Sequence, residues 1–286
     1  MSAMTPQVMA AMPSARYLGP MPTATFGPLL KTWRIARRMS QLDLALDAGV
    51  SARHLSCVET GKSSPSRDMV ARLADCLDLP LRERNSLLVA AGYAPRYRET
   101  PLAMPGLSSV NRAIESLLRQ QEPYPAFVLN RHWDILKANE AAVRVNGHVL
   151  DGRPPKHMNM VRQIFDPDDL RPAVANWDEV AGDLVRHLHE AIAAAPGDDA
   201  LRALLDEALS YPGVPARWRQ RHLEQPLSPL LATVLRRRGD EFRFFSTITT
   251  FAAPHDVTLE EVRIECCFPD NDDTATLCRR LSSPAG

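Results

Sequence analysis

The chain has 286 residues, 45% hydrophobic and 24% charged, with 34 basic and 34 acidic side chains and no net charge. That size and apolar content suit two soluble domains with separate cores, and no run of about 18 apolar residues offers a membrane span. From Gly27 to Pro95 ten Lys/Arg face seven Asp/Glu, a local +3 that leaves −3 elsewhere and is too mild to argue for nucleic acid by itself.

Residues 1–25 contain MSAMTPQVMAAMPSARYLGPMP, rich in Pro, Ala and Met, and read as a flexible N-terminal tail. The stretch lacks the charged and continuous apolar regions of a secretory signal. Residues 26–95 read as one helical unit. The pattern predicts a first helix over about Pro28–Arg38, with Leu29, Leu30, Trp33 and Ile35 supplying apolar contacts. Ser40 with Asp43 three positions on makes a capping-box start for a second helix. Gly49 stands at a turn where a positive φ is required. Ser51 is a natural N-cap for a third helix, and Val50, Leu55 and Val58 point inward opposite Leu44, Ala45 and Ala48. This is a helix-turn-helix whose second helix can lie in the DNA major groove. Ser66 starts a fourth helix carrying Met69, Val70, Leu73, Ala74 and Leu77, Pro80 stops it, and a fifth covers about Leu81–Ala91 before Gly92.

Across 27–92 the run SQxxLAxxAGVSxxxLSxxExGxxxPS resembles the XRE-type helix-turn-helix family of phage repressors and Cro proteins. The resemblance implies an all-α, five-helix lambda-repressor-like domain that binds a double-stranded DNA operator. A recognition helix enters the groove by its N-terminal end, which brings Ser51, Ala52, Arg53, Ser56 and Cys57 nearest the base edges. Arg53 is the best sequence reader, able to bond guanine O6 and N7 together, and Ala52 suits a thymine methyl. Gln41 matches a family position at the DNA backbone. Lys62 and Ser64, in the following loop, are placed for phosphates. Arg34 and Glu59 match family positions that form a structural ion pair. Leu42 departs from the family's polar preference on the exposed side.

Residues 96–110, within a stretch holding three prolines and a glycine, read as a linker. The remainder, 111–286, changes character. A helix over 111–120 precedes strands at 125–130 and 133–138, turned at Asn130-Arg131-His132. A short helix follows over 139–145, then amphipathic helices near 157–164, 174–195, 199–210 and 215–222. Long strands are expected at 241–252 and 257–268, a further one at 230–236, and a closing helix over 272–281. Strands early and late with helices between imply an α+β domain around one antiparallel sheet.

The blocks PYPAFVLNRHWDILKANEAA, Phe165-Asp166-Pro167, Trp177 and FFSTITTFAAPHDVTLEEVRIECCFPD resemble the MmyB-like ligand-binding domain that follows XRE-type modules in bacterial regulators. That resemblance implies a PAS-like fold enclosing an apolar cavity that holds a fatty-acid-like ligand. Pro226-Leu227-Ser228-Pro229 stands where many members have a His-Pro-containing strand start. Candidate pocket residues are Phe127, Trp133, Asn139, Phe165, Trp177, Phe244, Ile248 and Ile264, with Arg186 and His189 as further candidates. An anionic headgroup would need an Arg or His partner. The competing reading of these aromatic stripes is an ordinary packed core.

Catalysis has little foothold. GxSxG, P-loop, HExxH and GxGxxG are all missing. His187 and His189 stand about 200° apart on a helix, a poor chelate, so no catalytic or metal residue is assigned. The five cysteines form no CxxC pair and suit a reducing cytoplasm. The expectation is a cytoplasmic bacterial transcription regulator, not an enzyme and not membrane-bound. It would act as a homodimer with recognition helices about 34 Å apart, responsive to a small apolar ligand. The alternatives are a C-terminal domain that only dimerises or holds a protein partner, and a DNA-tethered enzyme.

Overall fold

The computed structural model describes residues 25–220, 231–252 and 254–283. The expected tail and the Pro226–Pro229 departure therefore lie outside the described residues, apart from Thr25. The N-terminal unit is five helices: α1 (Phe26–Ala36), α2 (Gln41–Asp47), α3 (Ala52–Glu59), α4 (Arg67–Cys76) and α5 (Leu81–Ala90). Leu30, Trp33, Leu44, Leu55, Val58, Leu73 and Leu87 form its buried centre. The first helix starts two residues before the expected Pro28, because Phe26 fills the core and Gly27 meets α3. A Cβ at Gly27 would lie 2.7 Å from the Glu59 carbonyl carbon and 2.9 Å from the Val58 oxygen. Ile35, expected to pack inward, is 58% exposed; the α1 core stripe runs through Leu30, Trp33 and Arg34 instead.

The expected linker is tied to both sides. Asn85 of α5 donates Nδ2–H to the Tyr97 carbonyl at 2.7 Å and accepts from the Arg96 and Tyr97 amides. The Thr100 amide donates to the Asp256 carboxylate at 3.2 Å.

The C-terminal unit is built on a five-stranded antiparallel sheet. Its strands are β1 (Ala126–Leu129), β2 (Ile135–Ala138), β3 (Ala232–Arg237), β4 (Asp240–Thr249) and β5 (Arg263–Pro269), in the order β2-β1-β5-β4-β3. Helix α6 (Ser108–Gln120) packs on one face through Ile114 and Leu118, against Ala126, Val128, Val262 and Ile264. The other face carries Phe127, Leu129, Phe244 and Cys267 and is covered by α7 (Glu140–Val149), α8 (Met160–Phe165), α9 (Trp177–Ala194) and α12 (Asp272–Ser282), with α10 (Asp199–Ser210) packed on α8 and α9. The split follows from register: Phe127 pairs with Glu265 and Val128 with Ile264, so alternate residues of neighbouring strands share a face.

Two expected elements differ. Residues 257–268 are not one strand. Asp256 accepts from the Thr258 amide at 2.9 Å and caps a short helix, α11 (Val257–Glu261), before β5 begins. Local β-branched content misleads there, because an N-cap outweighs it. The helix expected over 215–222 is, among the described residues, a single tight turn, Ala216–Arg219, held by the buried Trp218.

Candidate DNA interface and ligand cavity

The helix-turn-helix is fixed by its caps. Ser40 Oγ accepts from the Asp43 amide at 3.1 Å while Asp43 Oδ2 accepts from the Ser40 amide at 2.9 Å. Gly49 has φ +65°, a conformation a Cβ resists, and the Val50 amide closes the turn onto the Ala45 carbonyl at 2.9 Å. Ser51 Oγ accepts from the His54 amide at 3.1 Å and starts α3.

Behind α3 lies a buried ion pair. Arg34 Nε and Nη2 donate to Glu59 Oε1 and Oε2 at 2.6 and 3.0 Å, and Arg34 Nη1 donates to the Met39 carbonyl at 2.9 Å. Burial pushes the Glu59 carboxyl up, but the hydrogen bonds from Arg34 and Gln41 outweigh it and hold the carboxyl below its ordinary range. Gln41, expected at the DNA backbone, spends its amide nitrogen on Glu59 Oε2 at 2.7 Å. It thereby joins α2 to the pair that holds α1 on α3.

The outer side of α3 is open. Ser51, Arg53, Lys62 and Ser64 are exposed, while Ser56 and Cys57 are half-buried. Ala52 is half-buried because it packs against the helical core. His54 is also exposed on this rim; it fills a variable place in the motif, so the sequence pattern gave it no weight.

In the sheet domain a cavity of about 470 Å³ opens between the sheet and α7–α9. Its apolar lining includes Phe127, Trp133, Phe244 and Ile248, four of the expected residues. The other four lie elsewhere. Asn139 caps α7, its Oδ1 accepting from the Ala126 and Ala142 amides at 3.0 Å each. Phe165 is wholly buried and meets Trp177 edge-on at 5.8 Å. Trp177 donates Nε1–H to the Ile164 carbonyl at 2.8 Å, with the Arg171 guanidinium 3.8 Å over its ring. Ile264 faces α6, on the far side of the sheet. The register moves the cavity-facing positions of β5 from Ile264 to Glu265 and Cys267.

The polar lining includes Glu265, Ser246, Gln163, Asp183 and His187, which sequence reasoning did not place in a pocket. Glu265 stands between Ile264 and Cys266, and only the pairing of β5 with β1 and β4 shows which way it points. Burial raises the Glu265 carboxyl above its ordinary value, against the pull of Ser246 and His187. Burial, and then the Arg186 charge, hold His187 below the usual histidine range. His189 turns the other way, its Nε2 2.9 Å from the Trp218 carbonyl oxygen. Arg186 is ion-paired with Asp183. Among the described residues, no three His, Cys, Asp or Glu side chains are grouped to hold a metal ion.

The two units meet through charge. Arg131, in the β1–β2 turn, contacts Asp198, Glu261 at 2.8 Å and Glu83 at 3.5 Å. Arg82 of α5 donates to Glu261 at 2.7 Å and to Glu99 at 3.0 Å. Burial pushes Glu83 up, whereas His132 and Arg131 overcome burial at Asp198 and hold it down.

Two family models match the chain. Residues 110–281 match the MmyB-like transcription regulator ligand binding domain, and residues 25–87 match a helix-turn-helix domain. No curated protein matches the chain. A solved structure described as an RNA-binding light-oxygen-voltage receptor is similar at 12% identity, with a TM-score of 0.24, over 88% of this chain and 61% of that one. The chain thus spans about three fifths of that structure, a likeness too slight to bear on fold or function.

Proposed function

Because the chain belongs to the MmyB-like transcription regulator ligand binding domain family and carries a helix-turn-helix domain ahead of that domain, we propose that it is a sequence-specific, ligand-responsive regulator in the bacterial cytoplasm. It binds its operator as a homodimer through the exposed rim of α3 and holds a small, apolar, fatty-acid-like molecule in the sheet domain. The observation that carries the DNA reading is the two-sidedness of α3. Leu55, Val58 and Glu59 are buried while Ser51, Arg53 and His54 stand clear of the core. A helix held rigidly from behind and bare in front can enter a major groove without rearrangement.

The apolar cavity supports sensing over a domain that only dimerises, since a purely structural sheet would close the space around Phe127 and Phe244. Ligand binding would bias the seat of α5 on the sheet domain and so shift operator affinity. The test is selection of bound sequences from a random duplex library, followed by titration of the selected duplex. Saturable binding that weakens for Arg53→Ala is expected. Equal binding to all sequences by the unaltered protein would refute the reading.

A further inference from the structure

An acidic ligand in the sheet domain needs a basic partner, and two candidates are engaged elsewhere. Arg186 is ion-paired with Asp183, and His189 faces the Trp218 carbonyl. Arg263 is unspent. It opens β5 and pairs with Leu129, so its side chain lies on the cavity side of the sheet with Glu265 and Cys267. Its guanidinium stands 5.9 Å from the centre of the Trp133 ring, and the same ring stands 6.2 Å from the His187 imidazole. Trp133 and His187 both line the cavity, which places Arg263 at that end of it. Among the described residues it makes no ion pair and donates no side-chain hydrogen bond. Glu261 pulls on it only through space and spends its own oxygens on Arg82 and Arg131. The guanidinium is half-buried, and its nitrogens stay open to water. Burial, and then the charge of Arg131, push it down from its ordinary value, yet an arginine cannot shed its proton. The Trp133 face attracts the cation but offers its N–H groups no lone pair. A charge withdrawn this far from water is ordinarily paired.

We propose that Arg263 sets the head-group specificity of the sensor: its guanidinium takes the ligand's terminal carboxylate at the Trp133 end of the cavity, so that the domain separates a free acid from the alcohol or ester of equal length. The inference rests on the sensor reading above and adds to it the residue that selects the head. A guanidinium and a carboxylate meet through two parallel, charge-assisted N–H···O bonds. An alcohol or a methyl ester fills the same space and leaves the charge unanswered. The acids of the lining do not oppose this. Burial favours the neutral form of Glu265, two residues along the strand, and Asp183 is held by Arg186. The nearby charge of Arg131, which burdens Arg263 alone, favours an anion beside both. Phe127, Phe244 and Ile248 are left to cover the hydrocarbon.

The experiment uses full-length protein and three probes of equal chain length, decanoate, decanol and methyl decanoate, each in its monomeric range at neutral pH. Affinity is read by calorimetry and thermal shift. Decanoate is expected to bind about tenfold tighter than either neutral probe, or better. Arg263→Gln should erase that preference and leave decanol affinity within about twofold, which also shows the domain folded. Arg263→Lys, which keeps the charge and loses the fork, should retain part of the preference. Equal affinity for decanoate and decanol in the unaltered protein, or an unchanged acid preference in Arg263→Gln, overturns the role of Arg263 and leaves the sensor reading standing. Binding by none of the three overturns the sensor reading, and this one with it.

Discussion

Glu260, in the short helix α11, accepts the backbone N–H of Leu81, the first residue of α5, at 2.7 Å. Helix α5 has Pro80 at its N-cap position and no side-chain cap of its own. One domain therefore supplies the cap for a helix of the other. A carboxylate at a helix start meets both an orphan amide and the positive end of the dipole. Glu260→Ala is expected to cost about 0.5–2 kcal/mol, the range for losing a cap, and to raise hydrogen exchange at the Leu81 amide. An unchanged exchange rate there would show that the contact does not hold α5.

The Arg34–Glu59 pair should behave as a buried pair does. Glu59→Ala strands the Arg34 guanidinium and frees Gln41, at an expected loss of about 3–5 kcal/mol. Denaturant unfolding should show the loss in the N-terminal transition, with DNA binding failing as a consequence. Replacing Arg34 and Glu59 together by apolar residues should be much milder than either single change.

Gly27 stands where α1 crosses the end of α3, with the Glu59 and Val58 carbonyls against it. Backbone cannot give way as a flexible side chain does. Gly27→Ala is expected to cost about 1–3 kcal/mol by overpacking, although alanine is the better helix former. A melting temperature that rises would contradict this crossing.

Base reading and phosphate binding should separate by mutation. Arg53→Ala is expected to lose about 1–3 kcal/mol of discrimination at one base pair. Lys62→Ala should weaken every duplex alike and lower the salt slope by about one. A Lys62 variant with altered sequence preference would move that residue from the phosphates to the bases.

Acid should loosen the sheet domain through Asp166. Burial works against this carboxylate, yet Lys156 Nζ at 2.8 Å and His157 Nε2 at 2.7 Å hold it at a pKa of about 2. Because its folded value is depressed, its contribution is present above the unfolded carboxylate value and is lost as pH falls through the folded one. Stability should decline between about pH 4 and 2, and Asp166→Asn should flatten that decline. A slope unchanged by the substitution would place acid sensitivity elsewhere.

The helix-turn-helix was legible because its determinants are local. Ser40, Gly49 and Ser51 each act within four residues, and the caps and turn appear where those residues stand. The sheet domain was legible only in outline. Phe127, Trp133, Phe244 and Ile248 meet at the cavity, but Ile264 and Glu265 exchange faces against expectation, because strand register depends on partners more than a hundred residues away. Phe165 and Trp177 look like pocket aromatics in one dimension and pack on each other in three. Gln41 offered a DNA-facing amide, and its bond to Glu59 depends on the crossing of two helices that no local pattern encodes.

The division of residues 257–268 into α11 and β5 shortens the distance a signal must cover. Glu261 grips Arg82 and Arg131 at the junction of the two domains. Glu265 lines the cavity. Three residues lie between them, a tether of at most about 14 Å when fully extended. The cavity wall and the ion pairs that hold α5 thus share one short length of backbone, with no loop between them to absorb a displacement.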